Sequence, residues 1–520
     1  MDLNQEVVAD ATNVKNMKKY LVVLIVMCIV NTLSAQNDST ESRKPIEFDI
    51  LYNYYSQDGD QSAVTGGRGT EELYNNDTQL SLFVPFKKGR TLSVLLGVDY
   101  YTSASTLEIN KYVSSASTGT SEVSREDTRS YINVKYGTEN FERIDDFSMN
   151  LGFSNEFDVI SFNGGFGFKK KLKKGRSLSW NSSLFLDRWS LIYPGEFDEN
   201  GKYTGTDGAY GSYGSYGGGS SSAGSTGSGS TGGGSTGGST GGGSTGGGST
   251  GGGSTGSGSS GGSGIGSGSG LWTGNGTSSV ESFWLKDSGS SYGESYGEST
   301  TTNDYDTDDR YSINNALSIK QIINKRMNIT FVGEFNLQFG LLSTPFHRAY
   351  FDDGVDVEVN KLVAIENLPR QRLKGVFGAH YNYFFSKKVL LKLSYRTYYD
   401  SWNLLGQTAQ ITFPFKIKRS LTLYPFYRFH YQSGLKYYED YGRHDIGNRY
   451  YTSDPDLDDL TSNKVGLGVS FHPLNGILTT KKIEYKEQFS FKSIDLRYAY
   501  YDRSNGLTAH SFSVGLSFKF

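Results

Sequence analysis

Apolar and polar side chains alternate with period two in segment after segment of this chain. In residues 327–339, for example, Phe331 and Phe335 share one face and Glu334 lies on the other. This is the pattern of a β-strand with one apolar face, and it recurs in residues 389–399, 421–431 and 512–520. Outside the N-terminal region, no apolar run reaches the roughly 20 residues that a membrane-spanning helix needs. The chain is therefore predicted to be all-β.

The composition indicates where such a sheet would be stable. Hydrophobic residues make up 36% of the 520 residues, which is low for a globular core, whereas aromatic residues reach 14%. A transmembrane β-barrel needs apolar residues only on its lipid face and carries aromatic girdles at both interfaces. The mean hydropathy of −0.47 argues against a helical membrane protein. The net charge of −3 gives no indication of nucleic-acid binding.

We predict a single antiparallel transmembrane β-barrel of about 16 strands, within a range of roughly 14–18. About seven strands fall in residues 36–192 and about nine in residues 311–520. Alternate connections are short and basic, as at residues 87–90 and 324–326, whereas most of the others are longer. Outer-membrane barrels show this asymmetry and a soluble β-sandwich has no need of it, while an even strand number places both termini in the periplasm.

The N-terminal region has the pattern of a secretory signal peptide. A basic segment precedes an apolar run at residues 21–30, and a small-residue cleavage site falls between Ala35 and Gln36. Residues 1–35 are therefore predicted to be a signal peptide with an upstream start. Cleavage also removes Cys28, the single cysteine, so the mature chain would have no thiol for disulfides, catalysis or metal binding.

The longest connection, residues 193–310, contains a low-complexity segment. Residues 211–270 are almost entirely Gly, Ser and Thr. Such a composition cannot bury enough apolar surface to offset the entropy lost on ordering, so the segment is predicted to be a disordered external loop. A phosphate-binding loop is not supported, because no Lys follows the glycines.

Several short motifs recur around this insertion. Thr-Ser-Ala-Ser at residues 102–105 and Ser-Ser-Ala-Ser at 114–117 precede it, and Pro-Phe-His-Arg-Ala-Tyr-Phe at 345–351 and Tyr-Arg-Phe-His-Tyr-Gln-Ser at 427–433 follow it. Together they resemble a family of Gram-negative outer-membrane proteins catalogued as a domain of unknown function. The resemblance covers essentially the whole mature chain and implies an outer-membrane barrel. It carries over no catalytic residues, because that family has no established activity.

Six charged or imidazole side chains share the polar faces of strands in the second half of the chain. They are Glu334, His380, Lys392, Arg396, Arg428 and His430. On this strand assignment they come from neighbouring strands and point into the lumen, where rings of charge set the selectivity of pores. Alternatively, they pair with one another and hold the lumen shut, which is the interpretation we favour because inward charges must be paired or hydrated.

No motif supports catalysis, a cofactor or a metal centre. None of the six histidines falls in an H-E-x-x-H spacing, so each is predicted to be a hydrogen-bonding residue of the lumen or a loop. Acidic clusters at residues 304–309, 352–356 and 454–459 lack the Gly and Glu of an EF-hand loop and are predicted to be solvated. Loop aromatics such as Tyr437 and Tyr438 would either bind a sugar or a partner, or extend the girdle.

The C-terminal strand ends in Phe518 and Phe520, which resemble the aromatic signal read by the barrel-assembly machinery. The expected partners are outer-membrane lipid, that machinery during insertion, and envelope proteins.

The predicted function is a porin-like channel or transport of small solutes. The alternative is a non-transporting barrel that scaffolds an envelope complex or displays its loops for adhesion. A barrel hydrolase that depends on His380 or His430 ranks last, and no enzymatic activity is predicted.

Overall fold

The computed structural model describes residues 45–103, 126–141, 144–194, 196–198, 200–203, 305–352, 362–473 and 490–520. The predicted signal peptide with Ala35 and Gln36, the Ser-Ser-Ala-Ser motif at 114–117 and the Gly/Ser-rich residues 211–270 lie outside these ranges. Among the described residues, no helical segment is long and apolar enough to span a bilayer.

The described residues form nineteen strands. In chain order they are β1 (Glu47–Asp58), β2 (Leu73–Pro85), β3 (Arg90–Ser103), β4 (Glu126–Phe141), β5 (Ile144–Asn155), β6 (Val159–Leu172), β7 (Arg176–Ser190), β8 (Thr307–Asn324), β9 (Met327–Gly340), β10 (Arg348–Tyr350), β11 (Val363–Ile365), β12 (Gln371–Phe384), β13 (Leu390–Asp400), β14 (Leu405–Thr412), β15 (Phe415–Lys418), β16 (Leu421–Gln432), β17 (Leu460–Phe471), β18 (Ser490–Arg503) and β19 (Thr508–Lys519).

Antiparallel pairing closes this sheet into a barrel. Each strand from β1 to β9 pairs with the next, β9 pairs with β12, the order continues to β19, and β19 pairs with β1. β14 and β15 both pair with β16 and count as one strand, interrupted where Pro414 cannot donate to the ladder. Within the described residues the barrel therefore has sixteen strands, which confirms the predicted all-β fold. β10 and β11 form a separate hairpin.

The outer face of the barrel is apolar. In β9, Phe331 and Phe335 are 42% and 51% exposed, whereas Gln338 on the other face is 4% exposed. Aromatic rings pair between strands near the chain ends, as between Phe48 and Phe518, whose centroids are 6.3 Å apart. An apolar band with aromatic residues at its rim is typical of a barrel that spans a membrane, because closure satisfies every strand amide within the sheet.

The two ends of the barrel differ. The short connections at the turn end include residues 86–89, 173–175, 325–326 and 385–389. The start of β1 and the end of β19 also lie at this end, where Ile46 N donates to Phe520 O at 3.2 Å. At the loop end lie the connections 59–72, 191–306, 341–370 and 433–459. Three loop-end connections, 156–158, 401–404 and 504–507, are also short, and the turn-end connection 472–489 is long, so the length asymmetry is less complete than the sequence suggests.

Described residues of the loop-end connections fold into a compact layer with its own core. We call this layer the loop cap. It comprises residues 59–72, 191–194, 196–198, 341–352, 362–370, 401–404 and 433–459. Its apolar core comprises Leu368, Tyr398 at the end of β13, Trp402, Leu404, Leu435 and Leu457. Leu404 has no exposed surface and Trp402 is 2% exposed, so the cap has a dry interior outside the strands.

Candidate functional site: the loop cap and the inner wall

The loop cap extends across the mouth of the barrel. Sixteen strands spaced about 4.8 Å apart and tilted by roughly 40° enclose a circle about 30 Å wide. The β1–β2 and β9–β12 connections start half a circumference apart, yet Arg348 Nη1 donates to Val64 O at 2.8 Å. The same guanidinium pairs with Glu196 of the β7–β8 connection through Nη2 at 3.0 Å. These contacts require that the loops fold inwards over the opening.

Buried polar contacts tie the cap to the end of the barrel wall. Arg503 of β18 pairs with Asp456 and lies 3.8 Å from Glu71, two residues from different cap loops. Gln432 of β16 donates to Asp456 O at 2.8 Å and to Asp458 O at 2.9 Å. Burial raises the pKa of Glu71 to about 7, against the opposing effect of Arg503. The cap is therefore held by charged contacts as well as by its apolar core.

Three buried ionisable side chains lie close together inside the cap. His347, Glu366 and Asp454 have side chains that are 3%, 3% and 5% exposed. His347 Nδ1 lies 3.9 Å from Glu366 Oε1 and 3.9 Å from Asp454 Oδ2, which is too long for a hydrogen bond. Neither ring nitrogen of His347 has a hydrogen-bond partner. Burial lowers the pKa of His347 to about 4 and raises that of Glu366 to about 7.

The sequence did not indicate this cluster. Its members come from two arms of one connection and from another connection, so no local spacing links them. We predicted that the acidic residues around Asp454 would be solvated, but Asp454 is 4% exposed, and its side chain caps the short helical turn Pro455–Leu457 inside the cap. The ring of His347, predicted to be a hydrogen-bonding group, makes no hydrogen bond to any described residue. Phe346 and Ala349 lie on either side of His347 and are 7% and 0% exposed, so these apolar residues could have indicated that the loop packs into an interior.

Aromatic residues of the long loops pack against one another in the cap. Tyr350 lies 4.3 Å from Tyr441 between ring centroids, and Phe351 lies 4.9 Å from Tyr451. Trp402 contacts the ring of Tyr437 edge-on at 6.0 Å. These rings contribute to the cap interior, so they are less available for stacking on a sugar than an open loop would allow.

The six predicted lumen residues all lie on the face opposite the exposed apolar residues of their strands. Arg396 Nη2 and Glu334 Oε2 are 3.8 Å apart, across β13 and β9 with β12 between them. Arg428 Nε donates to Gln410 Oε1 at 2.8 Å, and His430 Nδ1 bonds to Thr408 Oγ1 at 2.8 Å. His380 pairs in register with Ser394, and Lys392 with Asn382. The structure thus brings one acid–base pair together and gives Arg428 and His430 uncharged partners.

Two further inward cations extend this group. Lys464 of β17 is in register with Arg428, and the Arg497 guanidinium of β18 lies 4.2 Å above the ring of Phe426. We call Lys392, Arg396, Arg428, Lys464 and Arg497 the basic arc. Among the described residues, only Arg396 of this arc forms an ion pair with a carboxylate. The alternation in residues 460–471 and 490–503 places Lys464 and Arg497 on the inward face, so the sequence pattern could have indicated both residues.

Two inward tyrosine rings lie against glycines of the neighbouring strands. Tyr424 of β16 faces Gly468 of β17 in register, and a Cβ on that glycine would lie 1.9 Å from the Tyr424 ring. Tyr131 covers Gly97 in the same way, with 2.1 Å to a hypothetical Cβ. The missing side chain allows each ring to rest on the neighbouring strand.

A closed barrel with an apolar outer face, a charged inner wall and folded loops at one end defines an integral outer-membrane β-barrel protein. Residues 274–517 match the family described as "Protein of unknown function (DUF3570)". The match confirms the resemblance for the second half of the chain, which contains β8 to β19 and most of the loop cap. A comparison with curated proteins gives no significant match.

Solved structures of outer-membrane barrels are similar over most of the chain. A loop-deletion mutant of OmpT, an outer membrane protein of Vibrio cholerae, is 7% identical with a TM-score of 0.33, covering 91% of this chain and 99% of that one. The Pseudomonas putida toluene transporter TodX is 8% identical with a TM-score of 0.33, covering 92% and 90%. A mutant ferric enterobactin receptor PfeA from Pseudomonas aeruginosa is 9% identical with a TM-score of 0.37, covering 89% and 54%.

Proposed function

We propose that this protein is a channel for small anionic solutes in the outer membrane of a Gram-negative bacterium, with a loop cap that narrows its entrance. The turn end, with both termini, faces the periplasm in this proposal, and the loop cap faces outwards. The protein acts as a conduit and not as an enzyme.

The basic arc is the observation that carries the proposal. Four of its five cations have no carboxylate ion pair among the described residues, although they line one side of the inner wall. A cation in a barrel lumen must be hydrated or neutralised by a counter-ion. Side chains of one sign along a pore raise the local concentration of the opposite ion and set its selectivity. The arc therefore favours anions over cations.

Reversal potentials across planar bilayers test this directly. The full mature chain, inserted between two concentrations of potassium chloride, should conduct and should pass chloride in preference to potassium. Replacing Lys392, Arg428 and Lys464 together with Gln should lower the chloride-to-potassium permeability ratio severalfold, because three uncompensated charges leave the wall. Replacing Lys325, Lys387 and Lys388, which lie in exposed turns, with Gln removes the same number of charges outside the lumen and should leave the ratio unaltered.

The loop cap itself supports a second candidate, a barrel that does not transport. Contacts such as Arg348 with Val64 place protein across the opening, as would suit a scaffold of an envelope complex or a display surface. A folded barrel that gives no conductance, both as the full chain and after disruption of the cap, would favour this candidate over a channel. Crosslinking in intact membranes would then identify the envelope proteins that the cap contacts.

A further inference from the structure

We propose that His347, Glu366 and Asp454 bind a divalent first-row transition-metal ion, with Zn²⁺ as the simplest candidate, and that this ion clips two loops of the cap together. The site lies outside the barrel wall and is independent of the channel proposal. It joins both arms of the β9–β12 connection to the β16–β17 connection.

The geometry suits such an ion. One ligand atom from each residue can be chosen so that all three lie within 4.8 Å of one another. Metal–ligand bonds of about 2.0–2.2 Å hold ligand atoms roughly 3–4 Å apart. The two distances of 3.9 Å from His347 Nδ1 to the carboxylates already fall in that range. A fourth position, open in this set of three ligands, would be filled by water or by an anion.

His347 provides an independent indication of a ligand. Its side chain is 3% exposed, and both ring nitrogens lack a hydrogen bond among the described residues. An unsatisfied buried polar atom costs on the order of 1–3 kcal/mol. A metal ion in front of Nδ1 would satisfy that nitrogen without any change in the surrounding backbone.

The two carboxylates are already oriented by other groups. Glu366 Oε2 accepts from Thr344 N at 2.6 Å, and Glu366 Oε1 accepts from the Thr452 hydroxyl. Asp454 Oδ1 accepts from Asp456 N at 3.0 Å, which leaves Oδ2 directed towards His347. Metal sites in proteins commonly show this outer layer of hydrogen bonds, because it fixes each ligand before the ion arrives.

Nearby cations do not neutralise this pair. Arg348 pairs with Glu196, Arg372 bonds to Asp400 at 2.8 Å, and Arg503 pairs with Asp456. These arginines therefore do not neutralise Glu366 and Asp454. A divalent ion would balance the negative charge of both buried carboxylates.

The donor set selects the class of ion. Ca²⁺ and Mg²⁺ prefer sites made wholly of oxygen, whereas a neutral imidazole with two carboxylates suits Zn²⁺ and its first-row neighbours. The rival explanation is that the carboxyl groups are protonated and hold a neutral cluster with no ion. The two explanations differ in whether the folded protein retains metal.

Metal analysis of the folded full chain in detergent separates them. Heat-modified mobility on gels first shows that each sample is a folded barrel. After treatment with EDTA, loading with Zn²⁺ and gel filtration, the protein should retain about one zinc ion per chain. His347→Ala and Asp454→Asn should each lose most of it, and Asp454→Asn preserves the shape of the side chain it replaces. His510→Ala, which removes an exposed histidine of β19, should retain it.

A visible spectrum of the Co²⁺-loaded protein provides a second measurement that does not depend on a variant folding. Absorption typical of a low-coordinate cobalt site with a nitrogen ligand should appear for the unaltered chain and for His510→Ala. Retention of equal zinc by His347→Ala, or the absence of both bound zinc and a cobalt spectrum in the folded unaltered chain, would overturn the proposal in favour of the protonated cluster.

Discussion

The strands of this barrel are connected differently at its two ends. At the turn end, tight turns join most neighbouring strands, and the stability of each such turn is local. Lys88 and Gly89, and likewise Lys174 and Gly175, adopt positive φ at both positions, as a two-residue hairpin turn requires. At the loop end, stability comes from contacts between segments that are distant in sequence, with an apolar core and buried charges.

The difference shows that the cap is a structural unit added to the wall and not an extension of it. Its core residues come mainly from connections, and its buried carboxylate Glu366 accepts hydrogen bonds from its own connection and from another. Removing cap contacts should therefore loosen the loop end while leaving the wall folded. Changes at the turn end should act on the stability of one hairpin. The following experiments test that separation, in order of decreasing effect.

Trp402→Ala should have the largest effect, because the ring is 2% exposed and packs in the cap core. Loss of a buried tryptophan typically costs about 3–5 kcal/mol. We expect rapid proteolysis within residues 433–459 of the folded barrel, together with an increase in single-channel conductance if the cap limits flow. Phe385→Ala, at the turn end where the ring is 50% exposed, should show neither change. Cleavage at the same rate in both variants would contradict a separable cap.

Acidification should strengthen the cap. The carboxyl of Glu71 has an ordinary pKa of 4.5 and a pKa of about 7 in the folded cap, because burial disfavours its charge. The folded state therefore holds the proton more tightly, and stability falls as pH rises from 4.5 through 7. Between pH 5 and pH 8 we expect the free energy of cap opening to decrease by about 2 kcal/mol from this group.

Hydrogen exchange in residues 59–72, corrected for the intrinsic effect of pH, measures that opening. Glu71→Gln should remove the part of the pH dependence that this carboxyl contributes, because the amide has no charge to bury. A smaller slope of the same sign should remain, because burial also raises the pKa of Glu366 in the cap to about 7. An equal slope in the variant would mean that another group is responsible.

The smallest effect should come from Lys174→Asn, and it should be stabilising. Lys174 has a φ of 61°, and asparagine tolerates this left-handed conformation better than lysine. We expect the urea midpoint of unfolding to rise, corresponding to about 0.5 kcal/mol. Lys173→Asn changes a neighbouring residue without a positive φ and is the matched control. A similar rise for both variants would point to charge and not to backbone conformation.

The wall was predictable from sequence because a strand with one face in lipid repeats every second residue. The alternating segments at 327–339, 389–399 and 421–431 correspond to β9, β13 and β16 within one residue at each end. The regular alternation of apolar residues in β2 begins only near Thr78, whereas the strand begins at Leu73. Asn76 faces outwards in the earlier part and accepts a hydrogen bond from Tyr52 at 2.7 Å. A polar residue on the apolar face interrupts the alternation, so that part of the strand could not be recognised from the sequence.

The cap was not predictable in the same way. Its core contains single apolar residues such as Leu435 and Leu457, which carry no periodicity within their loops. Its buried ionisable groups are types that usually lie on surfaces, and partners from distant connections bury them. The six candidate lumen charges follow from alternation, whereas their partners follow from register between strands. Register requires knowledge of every turn, so the uncharged partners Thr408 and Gln410 could not be assigned in advance.

The bond between Arg348 and Val64 has a consequence for the order of assembly. Its two residues are 284 positions apart, and they come from hairpins on opposite sides of the finished wall. Closing such a long loop is entropically costly until intervening strands hold the two hairpins in place. The cap therefore forms late, after β1 and β9 are fixed relative to each other. The time at which the backbone amides of Val64 and its neighbours become protected from hydrogen exchange would therefore report when the barrel closes during insertion.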